Sequence, residues 1–481
     1  MDREWYDKNY LKYKGMRMQA RADRNRLRYH LMPPAGWMND PNGLCQFQGV
    51  YHIYFQYTPF LAGWGTKIWG HYTTKDWLHF REEEPFLFPD CAWDRDGAYS
   101  GSAFVKDNQV HYFYTGNVKL TDRDYDYIME GREQNTIHVV SSDGMQAGAK
   151  ELALSHSDYP QDMTKHVRDP KVFAQGDSYY MLLGARDHKG KGCVLMFRSK
   201  DLGHWEYAQR MYAQEDFGYM WECPDLFTVN GQAFLLACPQ GVEKKEHCYQ
   251  NIYQCGYFTA EWDAQAGAYK LGEFQELDKG FDFYAAQTFE DERGRRILLA
   301  WMGMPDADYG NEATAGQGWI HALAMPRALT VEDGRLLQKP LEEMAQLRKN
   351  HRHATLKTFG NQKTKDCCFE LHLKFCGQAD GLALWLRKDV KLVYKGGTLA
   401  LCLGKSGCKR EKRTALLQRL ESLTVFSDTS SIEIFINGGE ATMSTRVYSD
   451  SLEQNVWFED TDAAADVEWY DLDGILVQWK C

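Results

Sequence analysis

The run YHIYFQY at residues 51–57 decides the fold class, because runs of the same kind recur along most of the chain. Aromatic and β-branched residues dominate it, and both are typical of strands. Similar runs occur at 110–115 (VHYFYT), 178–183 (SYYMLL), 233–237 (AFLLA) and 296–301 (RILLAW), each bounded by Gly, Asn, Asp or Pro. Many short strands with frequent turns, and no helical patterns between them, predict an all-β sandwich, barrel or propeller.

The rest of the chain divides around one change of hydrophobic period. Leu341, Met344 and Leu347 recur at helical spacing, with acidic residues before them and basic residues after them, which predicts a short helix. Strand-like runs resume beyond this point. The predicted order is a solvated, basic helical lead-in (1–28), a large all-β domain (29–335), a helical connector (336–350) and a smaller β-sandwich (351–481).

The composition narrows the classes of function. The chain has 481 residues, with 56 basic and 67 acidic side chains and a net charge of −11. This acidic balance argues against a nucleic-acid partner. No stretch approaches the roughly 18 consecutive apolar residues of a membrane helix, and residues 1–28 lack the apolar run of a signal peptide. The 13 cysteines are odd in number and form no Cys-x-x-Cys pair, so we expect reduced thiols and a cytoplasmic location.

Three short segments present candidate catalytic carboxylates, each close before a proline. The turn GWMNDPNG at 36–43 carries Asp40 near Trp64 in sequence, RDP carries Asp169, and WECP carries Glu222. Taken alone, these segments also fit a plain hairpin turn, a surface triplet and a partly buried structural glutamate. Retaining glycosidases need two carboxylates about 5–5.5 Å apart, one as nucleophile and one as acid/base. A propeller or barrel can bring such residues from distant strands to one central pocket.

These segments belong to an ordered set that resembles glycoside hydrolase family 32, and within it the bacterial sucrose-6-phosphate hydrolases and intracellular invertases. The likeness covers nearly the whole chain and begins with residues 29–43. The motifs that follow are 63–71 (GWGTKIWGH), 99–103 (YSGSA), 114–117 (YTGN), 168–170 (RDP), 219–226 (YMWECPDL), 282–288 (DFYAAQT), 319–327 and 428–435 (DTSSIEIF).

The resemblance implies a five-bladed β-propeller followed by a C-terminal β-sandwich. It implies hydrolysis, with retention, of the terminal β-D-fructofuranosyl bond of sucrose 6-phosphate or sucrose. Asp40 matches the nucleophile, Glu222 the general acid/base and Asp169 the transition-state stabiliser, and no metal or organic cofactor is implied. We expect Arg168 to keep Asp169 ionised. The residues that match the substrate-binding positions are Trp37, Asn39, Gln56, Trp64, Tyr99, Ser100 and Arg168.

Other functions remain as alternatives. An exo-acting fructan β-fructosidase on inulin or levan would share the fructose half of the substrate, and an inactive sugar-binding module would keep the aromatic residues but lose a carboxylate. A zinc hydrolase is disfavoured because His-Glu-x-x-His and Cys-x-x-Cys are absent. We therefore interpret His71, His138 and His166 as structural or pocket-edge residues.

Three details stay open in the sequence. A phosphate on the leaving sugar would need basic residues at the rim of the pocket. Pro305 stands where some relatives carry a second pocket tryptophan, which leaves the leaving-group subsite unassigned. The C-terminal sandwich either covers apolar propeller surface or mediates homodimerisation. The candidates for the phosphate contact, chosen by position in loops, are Lys67, Lys165, Arg186, His188 and Lys189.

Overall fold

The computed structural model describes residues 1–263, 267–377, 379–459 and 461–480. Within them, five sheets built on four antiparallel strands precede two six-stranded sheets. We call the five sheets blades 1 to 5. Blade 1 contains β1 (Gly36–Phe47), β2 (Val50–Thr58), β3 (Ile68–Thr74) and β4 (His79–Glu82), and the later strand β19 (Trp319–Ile320) joins it. Blade 2 contains β5 (Ala98–Lys106), β6 (Gln109–Lys119), β7 (Arg132–Ser141) and β8 (Glu151–Leu154), and blade 3 contains β9 (Met163–Gln175), β10 (Ser178–Asp187), β11 (Gly192–Ser199) and β12 (Glu206–Met211). Blade 4 contains β13 (Met220–Val229), β14 (Gln232–Gln240), β15 (Gly256–Asp263) and β16 (Ala268–Glu276), and blade 5 contains β17 (Tyr284–Glu290), β18 (Arg296–Trp301), β20 (Arg327–Glu332) and β21 (Arg335–Pro340).

The first strands of the blades form a closed ring. β1 contacts β5, β5 contacts β9, β9 contacts β13, β13 contacts β17, and β17 contacts β1 again. This closure confirms the predicted five-bladed propeller. The second strands lie between neighbouring blades, so β2 and β6 are buried on both faces and read as continuous apolar runs. Blades 3 and 4 approach so closely that a Cβ on Gly184 would lie 2.1 Å from the carbonyl oxygen of Trp221.

The C-terminal domain is a β-sandwich, as predicted. Its two sheets enclose a separate apolar core that includes Leu371, Leu384, Val425 and Ile434. One sheet has the order β22-β33-β24-β29-β30-β31 and the other β23-β32-β25-β26-β27-β28. The strands are β22 (Arg348–Thr355), β23 (Gln362–Thr364), β24 (Phe369–Phe375), β25 (Leu382–Arg387), β26 (Val390–Lys395), β27 (Thr398–Leu403), β28 (Lys412–Leu416), β29 (Ser422–Asp428), β30 (Ser431–Ile436), β31 (Ala441–Arg446), β32 (Gln454–Phe458) and β33 (Ala465–Leu472).

The propeller and the sandwich meet through buried, paired charges. The imidazole of His30 lies 2.8 Å from a carboxylate oxygen of Asp428 and 2.8 Å from one of Glu433. The guanidinium of Arg327 lies 2.6 Å from Glu433 and 3.3 Å from Asp278. We call these five residues the interface cluster. Burial opposes a charge on His30, but the two carboxylates outweigh it and raise the pKa of His30 to about 9.

The helical lead-in packs on blade 1 instead of standing in solvent. The α-helices Arg3–Tyr10 and Lys14–Ala22 flank the 3₁₀ helix Leu11–Tyr13. Arg17 is buried and pairs with Glu82 at 2.8 Å, at the end of β4. The lead-in is helical, as expected, and its buried face makes it part of the folded domain, so only its outer face is solvated.

Two boundaries differ from the sequence prediction. Residues 336–340 belong to β21 and 348–350 to β22, so the expected connector helix shrinks to the 3₁₀ helix Glu342–Leu347. Its helical spacing arises because Leu341, Met344 and Leu347 are buried against blade residues. In addition, β34 (Leu476–Gln478) leaves the sandwich and pairs in parallel with β4. The remaining short helices are Glu312–Ala315, Leu356–Phe359, His156–Asp158, Lys405–Gly407 and Asn437–Gly439.

Candidate active site

A cavity of about 340 Å³ lies where the five first strands converge. Every blade contributes a first-strand residue to its wall: Asp40, Ser100, Asp169, Glu222 and Tyr284. A central ring of strands thus brings residues that are far apart in sequence to one site.

The same backbone irregularity places these side chains in all five blades. Each first strand advances three residues while its neighbour advances two, which is a one-residue β-bulge. Bulges re-aim side chains, and the missing N–H of proline is tolerated there. Three of the bulges contain a proline. The irregular stretches are 38–41 in β1, 98–101 in β5, 168–171 in β9, 222–225 in β13 and 284–287 in β17.

Asp40 is a buried carboxylate held by two donors. Ser100 donates its hydroxyl to Oδ2 at 2.5 Å, and Asn39 donates its amide to Oδ1 at 2.9 Å. The indole of Trp37 in turn donates to Asn39 at 2.8 Å, which orients the amide. Burial raises the pKa of Asp40, and the two hydrogen bonds offset part of that rise because they stabilise the carboxylate.

Glu222 accepts hydrogen bonds from three side chains. Gln240 donates to Oε2 at 2.8 Å, and the hydroxyl of Tyr284 donates to the same oxygen at 2.5 Å. Arg168 forms an ion pair with Oε1. The carboxyl is therefore fixed in direction, as a group that must transfer a proton to a defined atom requires.

Asp169 is a buried carboxyl beside Arg168. Its Oδ2 accepts the backbone N–H of Cys223 at 3.0 Å, and Arg168 Nε lies 3.8 Å away. Burial raises the pKa of Asp169 to about 7, although Arg168 lowers it, and the negative charges of Glu222 and Asp40 add to the rise. Arg168 therefore acts on Asp169 in the expected direction, but burial outweighs it and the pKa stays above its ordinary value.

Lys67 places a cation beside the nucleophile candidate. Its Nζ lies 4.7 Å from the ring of Trp37 and 4.6 Å from the ring of Trp64, and it donates to the hydroxyl of Thr58 at 3.2 Å. Burial lowers the pKa of Lys67 to about 7, and the negative charge of Asp40 opposes that fall. The two indoles stabilise the ammonium through their ring faces.

Comparisons with known proteins identify the family of this chain. The model of the glycosyl hydrolases family 32 N-terminal domain matches residues 30–340, and the model of the family 32 C-terminal domain matches residues 338–471. The chain belongs to glycosyl hydrolase family 32. It is therefore a glycoside hydrolase, and the division into two family domains follows the division into propeller and sandwich.

Similar proteins cover this family 32 enzyme almost from end to end. Sucrose-6-phosphate hydrolase of Bacillus subtilis (strain 168) is 38% identical over 441 residues, which are 89% of this chain and 90% of the relative. The structure of sucrose-6-phosphate hydrolase from Lactobacillus gasseri superimposes with a TM-score of 0.88 at 29% identity, covering 97% of each chain. The family 32 β-fructofuranosidase of Bombyx mori superimposes with a TM-score of 0.85 at 28% identity, covering 99% of this chain and 100% of that one.

The family 32 enzyme brings most of its sequence-predicted site residues to one cavity. Trp37 does not line the cavity; it lies behind Asn39 and under Lys67. The predicted residues that line the cavity are Asn39, Asp40, Gln56, Trp64, Tyr99, Ser100, Arg168, Asp169 and Glu222.

The predicted phosphate contacts are only partly brought together. Lys67 and Arg186 line the cavity, whereas Lys165, His188 and Lys189 do not. Sequence reasoning missed several polar or aromatic wall residues; Tyr219 and Tyr284 lay within quoted family motifs but were not singled out, and the others lie outside those motifs. These missed residues are Lys119, Tyr127, Arg132, Tyr219, Gln240, Tyr253, Tyr284, Trp301 and Asp306.

Two further observations concern the described residues alone. No group of three or more His, Cys, Asp or Glu side chains among them is arranged to hold a metal ion. None of the helices found there is long and apolar enough to cross a membrane.

Proposed function

We propose that this protein hydrolyses the terminal β-D-fructofuranosyl bond of sucrose 6-phosphate with retention of configuration, releasing fructose and glucose 6-phosphate, and that it also accepts sucrose. One observation carries the proposal: the carboxyls of Asp40, Asp169 and Glu222, from three different blades, line a single cavity. The curated relatives named sucrose-6-phosphate hydrolase support the choice of substrate.

In the first half of the reaction, a carboxylate oxygen of Asp40 attacks C2 of the fructosyl unit while the bond from C2 to the glycosidic oxygen breaks. Glu222 donates its proton to that oxygen, so the leaving sugar departs as an alcohol. The product is a covalent fructosyl ester on Asp40. Ser100 and Asn39 hold the attacking carboxylate in one orientation, which favours a near-attack geometry.

In the second half, water attacks the same C2 and the ester bond to Asp40 breaks. Glu222, now a carboxylate, accepts the proton of the water, which restores both residues. Two displacements at one carbon give net retention. Gln240 and Tyr284 position Glu222 for both proton transfers, and Asp169 accepts hydrogen bonds from hydroxyls of the fructosyl unit.

The charge of the cavity wall supports a phosphorylated substrate. Five basic side chains line it, namely Lys67, Lys119, Arg132, Arg168 and Arg186, against four acidic ones. We also propose that the enzyme acts in the cytoplasm. Every cysteine in the described part of the chain is a free thiol, which suits a reducing compartment.

Turnover of three substrates tests the proposal. We expect purified protein to cleave sucrose 6-phosphate fastest, sucrose more slowly and inulin slowest. With methanol added as an acceptor, NMR should show methyl β-D-fructofuranoside, because methanol replaces water in the second displacement. The α-anomer as initial product would exclude retention, and a strong preference for inulin would point to a fructan β-fructosidase.

A further inference from the structure

One wall of the cavity carries positive charge that no carboxylate neutralises. Lys119 and Arg132 from blade 2 and Arg186 from blade 3 line this wall. Among the described residues, Arg132 and Arg186 have no carboxylate within ion-pair distance, whereas Arg168 pairs with Glu222. Buried or half-buried arginines without a counter-ion are exceptional in folded proteins.

Aromatic rings hold the two unpaired guanidinium groups in place. Arg132 lies 3.9 Å from the centre of the Tyr127 ring, and its Nε donates to the carbonyl of the same residue at 2.8 Å. Arg186 lies 4.7 Å from the centre of the Tyr219 ring, and its Nε is buried without a partner. Both side chains are thus preordered, while their terminal guanidinium nitrogens donate to no group among the described residues, which reduces the entropy lost on binding.

His166 supplies a third uncommitted donor between the arginines. It is 5% exposed, it lines the cavity, and neither ring nitrogen has a hydrogen-bond partner. Burial, together with the positive charges of Arg168, Arg132 and Arg186, holds its pKa well below the usual value. A neutral imidazole offers one N–H donor without adding further repulsion.

We infer that Arg132, His166 and Arg186 form the phosphate subsite for the leaving sugar, and we call them the phosphate clamp. This inference rests on the proposed function and assigns its substrate preference to particular side chains. Guanidinium groups match phosphate oxygens with paired donors, and a dianion would relieve the mutual repulsion of the cluster.

The position of the clamp in the blades agrees with the leaving-group side. Arg186 lies on β10, the second strand of its blade, and Arg132 on β7, the third strand, while His166 lies on the first strand β9, three residues before Asp169. The carboxylates lie on first strands, nearest the centre of the ring. A fructosyl unit bound at Asp40 therefore directs its partner sugar outward, toward the clamp. Of the residues proposed from sequence, only Arg186 belongs to it.

The experiment compares kcat/KM for sucrose 6-phosphate and sucrose in wild type, Arg132→Gln and Arg186→Gln. Loss of one charge-assisted hydrogen bond should lower the ratio of the two constants by roughly 10- to 100-fold in each variant. Arg123→Gln is the matched control, because Arg123 is an exposed arginine between β6 and β7 whose guanidinium lies 3.6 Å from Glu130, outside the cavity wall. Equal losses on both substrates would overturn the inference.

Calorimetric titration with glucose 6-phosphate and with glucose separates this inference from the proposed function. Wild type should bind glucose 6-phosphate more tightly than glucose, and each clamp variant should lose that difference. If the variants bind glucose 6-phosphate as tightly as wild type while the enzyme cleaves sucrose 6-phosphate, the clamp is wrong and the proposed function stands. If glucose 6-phosphate binding needs both arginines but the protein cleaves no fructofuranoside, the clamp is supported and the proposed function is wrong.

Discussion

The interface cluster and the active-site cavity are both buried and both charged, yet they solve the burial of charge in opposite ways. In the interface cluster, His30 and Arg327 each contact two carboxylates, and Glu433 receives both cations. In the cavity, three carboxyls face one space while Arg132 and Arg186 have no counter-ion among the described residues. Matched charges fix two domains, whereas unmatched charges are available to a substrate.

The pKa values express the same contrast. In the interface cluster, burial raises the pKa of Glu433, but His30 and Arg327 outweigh it and bring the pKa to about 2, so the pair is ionised on both sides. In the cavity, burial raises the pKa of Asp169 to about 7 and lowers that of Lys67 to about 7. Asp169 and Lys67 therefore titrate near neutrality, whereas Glu433 stays ionised there.

Replacing Asp40, the proposed nucleophile, should abolish turnover without affecting the interface cluster. Asp40→Asn keeps the shape of the side chain but removes the attacking charge and one of the two oxygens that accept from Ser100 and Asn39. We expect kcat for sucrose 6-phosphate to fall by about 10⁴-fold or more, with an unchanged thermal unfolding midpoint. Asp177→Asn, at an exposed carboxylate paired with Lys200, is the control. Retention of a tenth of the activity would remove Asp40 from the mechanism.

Replacing His30, the central cation of the interface cluster, should lower the free energy of unfolding without affecting the reaction in the cavity. The raised pKa of His30 means that its stabilising contribution is complete below about pH 6.5 and is lost as pH rises through about 9. We expect His30→Gln to lower the free energy of unfolding by about 3 kcal/mol at pH 6, and by much less at pH 10. Urea titrations at both pH values measure this difference.

The matched control for that variant is His79→Gln. His79 also pairs with a carboxylate, that of Asp76, at 2.8 Å, but its side chain is 65% exposed. Exposed pairs contribute little, so we expect a change below about 1 kcal/mol. A loss in His30→Gln that is the same at pH 6 and pH 10 would show that the charge of His30 does not stabilise the interface.

A substitution with a smaller expected effect tests how the charge of Lys67 acts on Asp40. The cation of Lys67 lowers the pKa of Asp40, so Lys67→Met should raise that pKa further. We expect the acidic limb of the kcat/KM profile to move to higher pH. Lys200→Met, at an exposed ion pair, should leave the limb in place. A limb that moves downward would contradict the assigned sign of the interaction.

The sequence predicted the parts of this protein that are local in the chain. Apolar runs predicted strands, and compact motifs predicted Asp40, Asp169 and Glu222. The bulges explain why these segments stand out, because three of the five contain a proline one or two residues after the carboxyl that faces the cavity. Turn residues and candidate catalytic residues therefore occupy the same few positions and form short motifs that can be recognised in the sequence.

The sequence could not predict contacts that only blade closure creates. Arg132 and Gln240 lie on strands with no special pattern, and their approach to the cavity depends on the neighbouring blades. Lys67 looks like a loop residue until Trp37 and Trp64 are seen to enclose it. The packing of the lead-in on Glu82 was equally invisible, because a basic amphipathic helix in solvent has the same composition.

The parallel strand β34 has a consequence for synthesis of the protein. Blade 1 is made first, but its outer edge is covered only when residues 476–478 pair with β4, and the backbone N–H of Lys480 then donates to Glu82 at 3.0 Å. A nascent chain on the ribosome must therefore carry an unsealed first blade, with an open strand edge exposed to chaperones or to other chains, until residues 476–478 have been synthesised and can pair with β4.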